Sequence, residues 1–272
     1  MRRHLLFCPL LALALVAGCD RKMPSAGTVT TGRIQQAEVP APNAPLKDVI
    51  ERDPRYLIGI TYPEVANRHP RLAEALRVYA NTARRDLDEA VGLSAGSGSA
   101  GMPYDLSLNF TELMNTPQVV VIAADGSLYT GGAHGIPLIA RFTYLRQEDR
   151  LLSPRELIPS ADGWKVISDY VRKQLREEVA TRLVEDEVPE DERAEMLKNA
   201  ASMIDAGTEP DAGNFAQFEP IPAADGRWFG LRFVFPPYQV GPYSDGTQTV
   251  EVPVAVLRPY LAPEYRVMFT GG

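Results

Sequence analysis

Thiol and imidazole groups are scarce in this sequence: 272 residues hold two cysteines, Cys8 and Cys19, and three histidines. Both cysteines lie in the first 19 residues, so the body of the chain carries no disulfide framework and no paired-cysteine metal or redox motif. Beyond the N-terminal region only His69 and His134 remain, and no His-Glu-x-x-His zinc pattern is present. A zinc site would therefore need further Asp and Glu ligands at no recognisable spacing, and neither a metal nor a cofactor is expected. A basic surplus is missing too: 28 Lys and Arg stand against 35 Asp and Glu, a formal net charge of −7. Such a balance gives no counterion-release drive toward nucleic acid and repels an anionic lipid surface. After residue 16 no apolar run approaches the roughly 20 residues needed to cross a bilayer, and no repeat of fixed period recurs.

The one long apolar run is N-terminal. Arg2 and Arg3 precede Leu5 to Val16, which leads into Leu15-Val16-Ala17-Gly18-Cys19. A short positive segment followed by a short apolar one has the make-up of a secretory signal, and its ending resembles a bacterial lipobox. That resemblance implies a lipoprotein signal peptide over 1–18, cleavage before Cys19, and acylation of the Cys19 thiol as a membrane anchor. Each buried methylene would contribute about 0.8 kcal/mol to anchoring. Loss of residues 1–18 would leave 254 residues and, with Arg2 and Arg3 gone, a charge of −9. Asp20, by analogy with sorting in enteric bacteria, favours the periplasmic face of the inner membrane over the outer membrane. Residues 19–46 are rich in Pro, Ala, Thr and Gly without apolar period and read as a flexible tether.

The folded part is expected from about Asp48, as an α+β fold in which antiparallel sheet packs against amphipathic helices. Tyr56–Tyr62 is strand-like and stops at Pro63. Leu72, Leu76, Tyr79, Ala83 and Leu87 form a helical stripe over 70–91, with Asn67 as its cap, and a Gly/Ser/Ala loop follows over 92–101. Tyr104 to Phe110 alternates apolar and polar residues, Val119–Ile122 reads as buried on both faces, and Asp125-Gly126 signals a hairpin in an antiparallel meander reaching Tyr144. Asp162 caps a second amphipathic helix over 163–183, and a charged helix covers 189–203. An Asp-Gly turn at 225–226 then leads to a strand with Phe229, Leu231, Phe233 and Phe235 on one face, stopped by Pro236-Pro237. The expected organisation is a small α+β domain over 47–115 and a larger α+β domain over 116–272.

Several of these segments together resemble one family. Tyr129-Thr-Gly-Gly-Ala-His-Gly135, Leu151–Leu157, a long helix, Phe233 to Gly246 and Val250–Val254 are similar to the domain of unknown function in the extracellular region of RsiV-type anti-sigma factors, which also accompanies PdaC-type peptidoglycan deacetylases. The resemblance covers about residues 125–262; residues 56–87 resemble, less specifically, the smaller domain that often precedes it. In RsiV-type members the extracellular region binds lysozyme, so the resemblance implies a lysozyme-like protein or peptidoglycan as partner. The chain departs from both arrangements: no membrane-spanning or sigma-binding segment and no deacetylase domain is expected.

Three residues stand out as candidate ligand contacts: His134, Tyr238 and Tyr243. The glycines around His134 either supply positive φ in a tight connection while His134 bonds to backbone, or present the ring to a ligand. Tyr238 and Tyr243, beside Pro242, either cover the open end of the core or form a contact surface. No catalytic residue is assigned. The carboxylate-rich stretches at Asp162, Glu177, Glu178 and 185–195 read as solvated faces. The function expected is therefore that of a lipid-anchored envelope protein with a non-catalytic ligand-binding domain, against a cell-wall hydrolase acting through His134 or an envelope assembly factor.

Overall fold

A computed structural model describes residues 44–94 and 102–271. The expected leader over 1–18, Cys19, all but the end of the expected tether and most of the expected Gly/Ser/Ala loop lie outside the described residues. Among the described residues nine strands and five α-helices follow one another in an α+β arrangement. The first part runs β1 (Val49–Asp53), β2 (Tyr56–Thr61), α1 (Pro70–Ser94), β3 (Tyr104–Asn115), β4 (Val119–Tyr129), β5 (Ile136–Leu145) and β6 (Arg150–Leu151). The second runs α2 (Pro154–Leu157), α3 (Ala161–Glu185), α4 (Glu190–Gly207), β7 (Phe218–Pro222), β8 (Trp228–Phe235), β9 (Gln248–Pro253) and α5 (Val254–Leu257).

Strands β1 to β6 form one sheet in sequence order, antiparallel except where α1 carries the chain over from β2 to a parallel β3. Period-two alternation aims Ile58, Ile60, Leu106, Leu108 and Phe110 at the α1 stripe of Leu72, Leu76, Ala80, Ala83 and Leu87, and all of these are buried in one core. A second core gathers Trp164, Ile167, Val171 and Leu175 of α3 with Leu231, Phe233 and Phe235 of β8 and Val250 and Val252 of β9. β4 serves both: Val120 and Ile122 face the first core, Val119 and Val121 the second. Position 115/116, the expected domain boundary, falls at the end of β3, beside the turn into its direct partner β4. The described residues belong to one compact unit.

Local chemistry differs from expectation at several points. Asp125-Gly126 is not a hairpin; β4 runs straight through it. A Cβ on Gly126 would lie 2.1 Å from the Ser107 carbonyl oxygen, so glycine permits the close approach of β3. The chain reverses instead after Tyr129. Asp225-Gly226 does turn the β7–β8 hairpin, with Gly226 at φ +79°. Asn67 does not cap α1: its amide brackets the backbone of Leu46 by accepting from the N–H and donating to the carbonyl. That places Leu46, the last residue of the expected tether, in the first core. Ser160, not Asp162, caps α3 by accepting from the Gly163 N–H, while Asp162 pairs with Lys165. Phe229 is 53% exposed, because the register shift opposite Ile221/Pro222 marks the irregular start of β8, where Trp228 takes the buried place.

Candidate functional site

β4 and β5 are joined by a loop over 130–135 in which Gly131 and Gly132 adopt φ +100° and +101°, conformations that exclude most side chains. Gly135 has no positive φ. The Tyr129 hydroxyl donates to the Gly132 carbonyl (3.3 Å) and holds the loop against the strand end. His134 projects from it, exposed. Its Nδ1 lies 3.2 Å from the Gly135 carbonyl, so Nδ1 carries the proton and donates. Nε2 is then the acceptor for the Tyr238 hydroxyl at 2.8 Å. The Tyr243 ring stacks on the imidazole at a centroid distance of 3.9 Å and an interplanar angle of 16°. Tyr238 and Tyr243 are 5.7 Å apart.

Both tyrosines come from the loop between β8 and β9, and other elements fix that loop. Tyr238 sits at φ +73°, an unfavourable conformation for a bulky residue. Its N–H donates to the Gly241 carbonyl (3.0 Å). The next side chain, Gln239, donates to the carbonyls of Gly207 (3.0 Å) and Asn214 (2.8 Å). Gly207 leaves room for this: a Cβ there would lie 1.8 Å from the Gln239 carbonyl oxygen. The other limb is tied by Arg182 of α3, which pairs with Asp245 at 2.7 Å. Tyr238 remains 55% exposed and Tyr243 half-buried. The three candidate residues thus form one ring cluster at the surface, and neither tyrosine belongs to a buried core.

The remaining candidates are dispersed. Asp162, Glu177, Glu178 and most of 185–195 are exposed on helices. Among the described residues no three His, Cys, Asp or Glu side chains converge in a way that could hold a metal ion, and no helix is long and apolar enough to cross a membrane. Gly92-Leu93-Ser94-Ala95-Gly96 matches the serine-hydrolase pattern Gly-x-Ser-x-Gly, but Gly92–Ser94 continues α1, whereas a nucleophile elbow needs a strand-to-helix turn. The glycines over 96–101 likewise stand between a helix and a strand, the reverse of dinucleotide-binding order.

A charged ladder elsewhere in the fold was not evident from the sequence. Arg141 of β5 pairs with Asp125 of β4 (3.0 Å) and with Glu219 of β7 (2.9 Å), and Glu219 pairs in turn with Arg232 of β8 (2.7 Å), which meets Glu251 of β9 (2.6 Å). It joins the two sheets.

Residues 156–255 match the DUF3298 model, described as a protein of unknown function. The DUF3298 segment contains Tyr238 and Tyr243, while His134 reaches the cluster from outside it. The chain is similar in fold to the crystal structure of a DUF3298 family protein from Pseudomonas aeruginosa PAO1, with a TM-score of 0.53 and 16% identity over 85% of this chain and 100% of that one. A DUF3298 family member from Bacteroides fragilis NCTC 9343 aligns with a TM-score of 0.47 and 16% identity over 77% of this chain and 85% of that one. No curated protein matches the chain.

Proposed function

We propose that this is a lipid-anchored protein of the cell envelope whose folded part binds a ligand without transforming it, the ligand being peptidoglycan or a lysozyme-like protein. The observation that carries the reading is the His134–Tyr238–Tyr243 cluster: three rings from two loops, interlocked by a 2.8 Å hydrogen bond and a 3.9 Å stack, held at the surface with Tyr238 in a strained backbone conformation. Strain maintained at an exposed position by surrounding contacts is common at binding sites, and rigid exposed tyrosines contribute contact area at little entropic cost. The partners of His134 are a tyrosine hydroxyl, a tyrosine ring and a backbone carbonyl, which suits a ring positioned for contact. The lipobox at Cys19 supports the location.

Two measurements test this. The full-length chain should capture isolated peptidoglycan or lysozyme in a pull-down, and Tyr238→Ala should abolish the capture without lowering the melting temperature; capture of neither ligand refutes the binding reading. Radiolabelled palmitate should label the wild type and not Cys19→Ser, and labelling that survives the substitution refutes the anchor.

A further inference from the structure

The cluster stands at the end of a second surface that no motif marks. On the face of the six-stranded sheet opposite α1, Thr61, Ser107, Asn109 and Thr111 are exposed, and Ser127 is half-buried. Register places them side by side: Thr61 opposite Asn109 across β2–β3, and Ser107 opposite Ser127 across β3–β4. The Thr61 hydroxyl donates to the Asn109 side-chain oxygen Oδ1, and the Asn109 side-chain Nδ2 donates to the Thr111 hydroxyl (2.9 Å). The face is continuous with the ring cluster, because Ser127 Cβ lies 3.4 Å from the position a Cβ would take on Gly135, the residue after His134. Its charges are of both signs: Arg52 and Asp105 lie on either side of Leu57 by register, one strand away from it each, and Asp125 pairs with Arg141.

We infer that this face and the ring cluster together form one carbohydrate-binding surface, whose occupant is an uncharged glycan chain lying along β2–β4 with its end stacked on Tyr238. The inference rests on the binding reading above and names the ligand class. A sugar presents apolar C–H faces and hydroxyl edges; the cluster offers rings for the first, and five hydroxyl and amide side chains on three strands offer both donors and acceptors for the second. Neighbouring groups lie about 5 Å apart across strands and about 7 Å apart along them, so the face extends over several sugar units and suits a polymer. A strongly basic protein would find no net negative charge on this face, although the chain as a whole is acidic.

The test is calorimetric titration of the full-length protein with an N-acetylglucosamine hexamer, with lysozyme titrated in parallel. Binding of the hexamer is expected, weakened at least about tenfold, equivalent to about 1.4 kcal/mol, by Ser107→Arg on the exposed strand face and by Tyr238→Ala in the cluster, with unchanged melting temperatures. Lysozyme bound in a Tyr238-dependent way with no response to the hexamer overturns the glycan assignment and leaves the binding reading standing. Hexamer binding indifferent to Ser107→Arg also overturns it, since the sheet face would then take no part. Binding of neither probe removes both.

Discussion

At the scale of single residues, the strained position of Tyr238 and the half-buried ring of His69 make opposite kinds of demand. Tyr238 holds φ +73°, which glycine adopts freely and alanine does not. Tyr238→Gly and Tyr238→Ala both delete the ring and its bond to His134 and differ in the strain they keep. The glycine variant should therefore be the more stable by about 1 kcal/mol in urea denaturation, while both lose ligand; equal stability would show that the loop carries no strain at this position. His69 packs on Tyr144 with ring centroids 5.0 Å apart, and its Nε2 is buried without a hydrogen-bond partner. Burial, and then the charge of Arg146, hold the imidazole below the ordinary histidine value; Arg68 acts in the same direction and Asp149 against it. The folded state thus prefers neutral His69. The unfolded chain takes up the proton first as the pH falls through about 6.5. Stability from this group is present above that value and is lost as the pH falls toward the depressed folded-state value. His69→Phe should flatten the fall in melting temperature between about pH 7 and pH 5 relative to the wild type; an unchanged slope would show that His69 is not responsible.

At the scale of elements, the ladder Asp125–Arg141–Glu219–Arg232–Glu251 joins β4 and β5 of one sheet to β7, β8 and β9 of the other. The Arg141 and Glu219 side chains retain only 9% and 10% exposure, so their charges depend on each other. Arg141→Ala should cost about 3 kcal/mol, and Glu219→Gln less, because the one amide oxygen still accepts from Arg141 or Arg232, each of which now meets its own oxygen of the carboxylate. A loss below about 0.5 kcal/mol for Arg141→Ala, as for an ordinary surface pair, would show that the ladder is solvated. Nothing in the local sequence signals this ladder, since its members are up to 126 positions apart and each looks like an ordinary strand charge. Elements that depend on local periodicity were legible: the stripes of α1 and α3, the alternation of β3, and the double-faced burial of Val119–Ile122 all follow from spacing alone. Features decided by what lies opposite were not. Asp-Gly makes a turn at 225–226 and a straight strand at 125–126, and only the β3 backbone beside Gly126 separates the two cases. The individual site residues stood out as a histidine among glycines and tyrosines among prolines, but their meeting did not: His134 and Tyr238 are 104 positions apart. The polar face of β3 was legible as polar, and only the register shows that it adjoins the rings.

At the scale of the whole molecule, the placement of β4 decides whether the chain behaves as one body or two. The expected domain boundary divides it near residue 116, and the DUF3298 match begins at residue 156, yet β4 pairs with β3 and β5 and contributes consecutive side chains to opposite cores. Neither core can lose its half of β4 without pulling apart the strand pairing that supports the other. Unfolding should therefore be a single cooperative transition, with fluorescence from Trp164 and Trp228, both in the second core, and far-ultraviolet circular dichroism from all helices giving one midpoint in urea. Ile122→Ala removes contacts in the first core and should destabilise by about 2–4 kcal/mol. Although both tryptophans lie in the other core, their midpoint should shift by as much as the dichroism midpoint. If Ile122→Ala moves the dichroism transition and leaves the tryptophan transition in place, the two cores unfold independently and the sheet does not couple them. The same coupling bears on the binding site, because His134 leaves the end of β4 while Tyr238 and Tyr243 hang from the strands of the second core. A shared strand is what keeps the three rings in register, so the Ile122→Ala variant should lose ligand over the same urea range in which its tryptophans unfold, with no earlier loss.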